Sequence, residues 1–141
     1  MTIKEVKDFL NRGYRVKERI VAKQRRIEEW ARLAEATTIE LKPVVAFSSL
    51  PSKKVEEAAC NIVDLQNEIR LEIEELAGVE LEIGRAIKES PLDDTDRFIL
   101  ELRYLNYMKW EEIAVDLNYA YRWIMRRHKR ALAVLAESWP F

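Results

Sequence analysis

The chain has 141 residues, and 24 Lys and Arg against 25 Asp and Glu leave a formal charge of -1, so no net field recruits a polyanion. Its 48% hydrophobic content supplies a core, while Gly 3 and Pro 4 are too few for the turns of a sheet protein, which predicts an all-α fold. A lone cysteine, Cys60, and a lone histidine, His128, argue against a disulfide framework, a thiolate zinc site or a histidine-based metal centre, and no cofactor is expected. No 18-residue apolar run occurs and Met1-Thr2-Ile3-Lys4 opens no signal peptide, so a cytoplasmic location without membrane contact is expected.

In chain order, segment 3–36 lacks proline and repeats Val6, Phe9, Gly13, Val16, Ile20, Lys23, Ile27, Trp30 and Ala34 three and four apart. This spacing predicts an amphipathic helix with a narrow seam, in which Gly13 and Lys23 are poor seam residues. Segment 37–52 holds Pro43 and Pro51 and is too apolar for a free tether, so it is expected to pack partly against a neighbour. Ser52, just after Pro51, is expected to cap a second helix. That helix carries Val55, Ile62, Leu65, Ile69, Ile73, Leu76, Ile83 and Ile87 along its seam, with Cys60 at the edge.

The two segments carry opposite charge. Residues 4–42 hold 11 basic and 7 acidic side chains, with a dense basic run from Arg12 to Arg26, whereas residues 53–89 hold 5 basic and 10 acidic ones. Two such helices are expected to fold back as a long antiparallel helical hairpin over residues 1–90, a scaffold for oligomerisation. The basic run then either matches the acids of the second helix, which is the favoured reading, or forms a phosphate-binding stripe. Glu68, Glu72 and Glu75 read as a solvated acidic face, since a carboxylate metal site needs histidine partners that are missing here. One seam leaves Trp30, Phe47, Val63 and Leu81 uncovered, so a homo-oligomer, most simply a homodimer, is expected.

From Leu92 the pattern shortens to three helices within residues 91–141. Asp93-Asp94-Thr95-Asp96 offers an N-cap and first-turn acids for a helix that stops near Asn106, with Phe98, Leu102 and Leu105 on one face. A second helix, Trp110 to Leu117, is expected to bury Trp110, Ile113, Ala114 and Leu117. Asn118 stands where the following turn takes a left-handed residue. The third helix starts at Tyr121 and holds Arg122, Arg126, Arg127, His128, Lys129 and Arg130 before Leu132, with no acid. Such one-sided charge on an otherwise neutral chain points to phosphate contact. Ile113-Ala114, Leu117-Asn118 and Ile124 have the spacing of a helix-turn-helix, with the third helix as the recognition helix. His128 reads as a hydrogen-bonded polar residue, and Trp139 with Phe141 as a plug on the core or a subunit contact.

Phe98-Ile99-Leu100-Glu101-Leu102-Arg103-Tyr104, Trp110-Glu111-Glu112-Ile113-Ala114, and Ile124 through Ala131-Leu132 resemble region 4 of sigma-70-type factors. With the long N-terminal helices and Tyr119-Ala120-Tyr121-Arg122, nearly the whole chain is similar to a prophage-borne family of Gram-positive bacteria related to the ArpU/RinA-type regulators of phage late genes. The resemblance implies a sequence-specific, double-stranded-DNA-binding transcription regulator, phage- or prophage-encoded, without catalysis. Two positions depart from the pattern. Ala120 stands where those proteins place a Ser or Thr cap, and Arg127 stands where an apolar residue faces their core.

On this reading Tyr121, Arg122, Trp123, Met125, Arg126, Lys129 and Arg130 contact DNA. Trp110, Ile113, Ala114, Leu117 and Ile124 form the helix-turn-helix core. The alternative is a non-catalytic helical adaptor or assembly protein that docks a partner such as RNA polymerase. The sequence holds no Gly-rich phosphate loop, nucleophile elbow or Cys/His dyad to suggest an enzyme.

Overall fold

A computed structural model describes the backbone of residues 1–41 and 50–140, and the side chains of residues 1–36 and 53–140. The fold is all-α. Among the described residues there are six helices and no strand: α1 (Ile3–Leu10), α2 (Arg12–Leu41), α3 (Leu50–Glu89), α4 (Asp94–Tyr104), α5 (Trp110–Leu117) and α6 (Tyr121–Ser138). None of them is long and apolar enough to cross a membrane. The side-chain packing expected of segment 37–52, and of Phe47 and Phe141, lies outside the described residues. The contacts divide the chain into two compact units, Val16–Glu75 and Met1–Arg15 with Leu76–Phe141.

Within Val16–Glu75, α2 and α3 pair antiparallel. Arg19 reaches Glu72 at 3.1 Å and Glu75 at 3.0 Å, while Lys23, one turn further along α2, reaches back to Glu72 at 2.9 Å. Val16, Ile20, Leu65 and Ile69 are buried between the helices, and Ile27, Trp30, Ala34 and Ile62 are half-buried. The α3 seam differs from the sequence pattern at two places: Val55 is 36% and Ile73 52% exposed. Glu72 occupies the inner position instead, its side chain only 12% exposed beside Lys23 at 17%. Each polar group would be costly to bury alone, and each supplies the other's partner. The hydrogen bond from Lys23, followed by that from Arg19, holds the Glu72 carboxyl below the usual carboxylate range. Glu72 and Glu75 are therefore partners of the basic run rather than a solvated face, while Cys60 is exposed rather than at the seam's edge. A polar pair inside an apolar seam fixes register, because a slip by one turn strands both charges.

The helix bounds also correct two sequence expectations. α3 begins at Leu50, so Ser52 is not its cap. Pro51 sits in the first turn, where its missing N–H breaks no helical hydrogen bond. At the other end, segment 3–36 is not one helix. Thr2 caps α1 by accepting the Glu5 N–H at 3.1 Å, and α1 closes at Asn11 before α2 starts. The break lets α1 leave the line of α2 and pack on α6. Val6 and Leu10 join Ile83, Ile87, Leu100, Leu132 and Leu135 in one buried cluster. The division of contacts accordingly falls inside α2 and α3, whereas the sequence suggested residue 90.

Gly13 is buried for a steric reason rather than a seam reason. A Cβ at this position would lie 2.5 Å from the Tyr107 hydroxyl oxygen, closer than packed atoms approach. Tyr107 itself has a left-handed backbone, φ 58°, and its hydroxyl donates to Glu80 at 2.7 Å. Arg12 closes the same side of this unit on Glu82 at 2.6 Å. In α4, Asp93 is the N-cap and accepts the Asp96 N–H at 2.8 Å. α4 is packed on two sides, with Leu100 and Tyr104 in the first cluster and Ile99 and Leu102 in a second with Ile113, Ala114 and Ile124. Phe98, expected on the inner face, is turned out and exposed, because the two buried clusters flank the opposite side of the helix.

Candidate nucleic-acid interface

α5 and α6 are joined by the three residues 118–120. Asn118 ends α5 in the left-handed conformation, φ 58° and ψ 43°, and its N–H turns back onto the Ala114 and Val115 carbonyls. Tyr119 donates its N–H to the Ala114 carbonyl at 3.0 Å, so the last carbonyls of α5 are satisfied by the turn. Ile113, Ala114 and Ile124 are buried together, with Trp110 and Leu117 half-buried at the rim of the same cluster. The small Ala114 leaves room for the close crossing. Ala120 precedes α6 without any side-chain cap.

α6 has two chemically distinct faces. Ile124, His128, Ala131, Leu132 and Leu135 face inward and are buried. Tyr121, Arg122, Arg126, Lys129 and Arg130 face outward and are exposed. Trp123 and Met125 are half-buried at the boundary. The Trp123 ring stacks on Tyr119 with centroids 4.1 Å apart, and the Arg127 guanidinium lies 5.2 Å from its centre. Its role is thus to wedge the turn against α6 rather than to present a free stacking surface.

Arg127 resolves the departure noted in the sequence by a route the pattern did not suggest. Its Nε bonds Asp96 Oδ1 at 2.7 Å and its Nη2 bonds Asp93 Oδ2 at 2.6 Å, tying α6 to the first turn of α4. Asp96 is buried, and that burial raises its carboxyl above the usual range. Asp93 is lowered, first by the Asp96 N–H that it caps and then by Arg127. Asp93 and Asp96 are one turn apart, so both carboxylates meet one guanidinium fork. The sequence signal was present in those two acids, but it reads equally well as ordinary capping.

His128 lies behind the outer cations. Its Nε2 is 2.6 Å from the Tyr104 hydroxyl, and its ring centre is 4.3 Å from that of Trp110. Burial, then the nearby charges of Lys7 and Arg103, pushes the imidazole down to about 4. Burial likewise raises the Tyr104 phenol to about 12. Near neutral pH the phenol therefore donates to an uncharged imidazole, a bond that fixes the rotation of α6 about its own axis. Arg103 covers Trp110 at 4.9 Å and completes this polar core. Sequence reasoning missed the Tyr104–His128 pair, because 24 residues separate its members.

Of the cations on α6, Arg127 is committed to Asp93 and Asp96, while Arg122, Arg126 and Lys129 make no ion pair among the described residues. Arg130 adds its field at Asp93 and Asp96. The basic run of α2 is spent in part: Arg12 meets Glu82, Arg15 meets Asp8, and Arg19 and Lys23 meet Glu72, while Arg25 and Arg26 are exposed and make no ion pair among the described residues. Among the described residues, no group of three or more His, Cys, Asp or Glu side chains is placed to hold a metal ion. No known protein family, curated protein or solved structure matches the chain.

Proposed function

We propose that the chain is a sequence-specific, double-stranded-DNA-binding transcription regulator, of the sigma-region-4-like helix-turn-helix type and without catalysis. The observation that carries this reading is the outward face of α6 from Tyr121 to Arg130, which holds no acid and is held in place by a buried face on the opposite side. A helix fits the major groove, and a row of exposed cations there meets phosphates on both walls. Arg122 and Arg126, one helical turn apart, are the residues for base edges. Lys129 and Arg130 lie further along and take the backbone. Tyr121 flanks the entry of α6, while Trp123 and Met125 support the helix from its boundary. Transcription control by a phage- or prophage-encoded protein is the setting that the sequence resemblance adds.

The test is an electrophoretic shift on the DNA flanking the protein's own gene, repeated across a salt series. Two phosphate-contacting cations, Lys129 and Arg130, predict a log–log slope against salt of about -1.8. A chain that shifts no DNA at low salt but binds RNA polymerase overturns this reading in favour of a docking adaptor.

A further inference from the structure

The unit of Met1–Arg15 and Leu76–Phe141 carries a second exposed surface, opposite in chemistry to the outer face of α6. Phe98 of α4 and Tyr119 of the turn point outward, 48% and 46% exposed, and Val115 of α5 is 78% exposed. Phe98, Leu117 and Tyr119 line a cleft of about 400 Å³ with Asp94 and Thr95. Tyr119 also forms a wall of a neighbouring cleft of about 510 Å³, which holds Val115, Glu111 and Asn118. The stack on Trp123, 4.1 Å between ring centroids, fixes the Tyr119 ring that both clefts share. The surface is thus preformed, which lowers the entropic cost of filling it.

The charge around the clefts is acidic. From Trp110 to Leu117, α5 holds Glu111, Glu112 and Asp116, all exposed, and no base. Asp94 of α4 is fully exposed. The flanking cations are accounted for. Arg97 bonds the Ser90 carbonyl at 2.6 Å and meets Asp94 at 3.5 Å, Lys109 stands at the other end of α5, and Arg122 belongs to the outer face of α6.

We propose that this surface docks a partner protein through an apolar segment flanked by lysine and arginine. The acids repel a nucleic acid and an anionic lipid surface alike. They also oppose the same surface of a second copy, since an isologous contact sets like charges face to face. A protein segment of opposite charge, with apolar side chains for the clefts, satisfies both features. Phe98, Tyr119 and Val115 leave about 350 Å² of side chain uncovered, within the ~300–600 Å² of the largest, often functional, patches on monomers. Since somewhat over half of a non-obligate interface is apolar, such a patch belongs to a face of about 600 Å², or about 1,200 Å² in total. That is the size of a transient partner rather than a permanent one. The proposal uses no residue assigned to DNA contact, so its failure leaves the DNA-binding reading standing.

The probe is a fluorescein-labelled amphipathic helical peptide of leucine and lysine, titrated with the full chain and read by anisotropy. One peptide should bind per chain, and the matching helix of leucine and glutamate should bind at least about tenfold more weakly. Asp116→Lys should weaken the lysine peptide about tenfold. Glu74→Lys, the same charge change at an exposed site of α3, should alter it by less than about twofold. Phe98→Ser and Val115→Ser truncate exposed side chains and should each weaken it about fivefold, with helical circular dichroism and the DNA shift unchanged. No binding of the lysine peptide, equal binding of the glutamate peptide, equal effects of Asp116→Lys and Glu74→Lys, or parental affinity in both serine variants overturns the proposal. So does loss of DNA binding in the serine variants, which assigns the surface to nucleic acid. Self-assembly of the chain that these variants dissolve assigns it to a second copy and likewise overturns the proposal.

Discussion

Two basic runs of similar density meet opposite fates in this chain. On α2, Arg12, Arg15, Arg19 and Lys23 each have a carboxylate partner on a neighbouring helix, and Arg25 and Arg26 are exposed without one among the described residues. The run on α6 surrenders only Arg127, to Asp93 and Asp96, and turns Arg122, Arg126, Lys129 and Arg130 to solvent. Counting cations along a sequence does not separate these cases; the acids brought opposite them by the fold do. A binding face is thus recognised by what fails to neutralise it.

The comparison is broken most severely by removing the platform beneath α6. Ile113→Asp buries a charge in a cluster that has no partner for it, at a cost of about 4 kcal/mol or more. Chemical denaturation should show that loss, together with loss of DNA binding. Parental stability in this variant would contradict the packing of α5 on α6. A smaller effect, about 2 kcal/mol, is expected for Arg127→Leu, which leaves Asp96 buried without its guanidinium. The added change Asp96→Leu should recover much of the loss, a coupling that a denaturation double-mutant cycle reads directly.

His128 sharpens the contrast between the two faces of α6 through pH. Its folded value, about 4, lies below the 6.5 of an exposed histidine. The unfolded chain therefore takes up a proton that the folded chain refuses. The contribution of His128 is complete above pH 6.5 and is lost as pH falls from there towards 4. About 2 kcal/mol should be gone by pH 5. Denaturation curves at pH 7.5 and 5 measure it, and His128→Phe should flatten most of the difference. An equally steep fall in that variant would place the titration elsewhere.

Much of the fold was legible because periodicity reports burial. All nine seam positions read between Val6 and Ala34 are buried or half-buried, and Asp93 and Asn118 take the cap and turn roles that their chemistry favours. What the pattern missed are features set by distant partners. Asn11 interrupts a helix because Val6 and Leu10 have a better surface on α6. Glu72 displaces Ile73 from the seam because Lys23 is opposite. Gly13 looks like a defect until Tyr107 is placed against it. The candidate site follows the same rule. Its cations were readable from sequence, whereas the commitment of Arg127 and the anchoring of His128 by Tyr104 depend on α4, some thirty and twenty-four residues away.

The central proposal is that α6, rather than α2 with its exposed Arg25 and Arg26, contacts DNA. It is tested most directly by the salt dependence of DNA binding in two matched variants, Arg126→Ala on α6 and Arg26→Ala on α2. Arg126→Ala is expected to weaken binding by roughly 1–3 kcal/mol if it reads a base, or to lower the magnitude of the salt slope by about one if it holds a phosphate. Arg26→Ala is expected to leave both affinity and slope at the parental values. The reverse pattern, with Arg26→Ala costly and Arg126→Ala silent, would contradict the account.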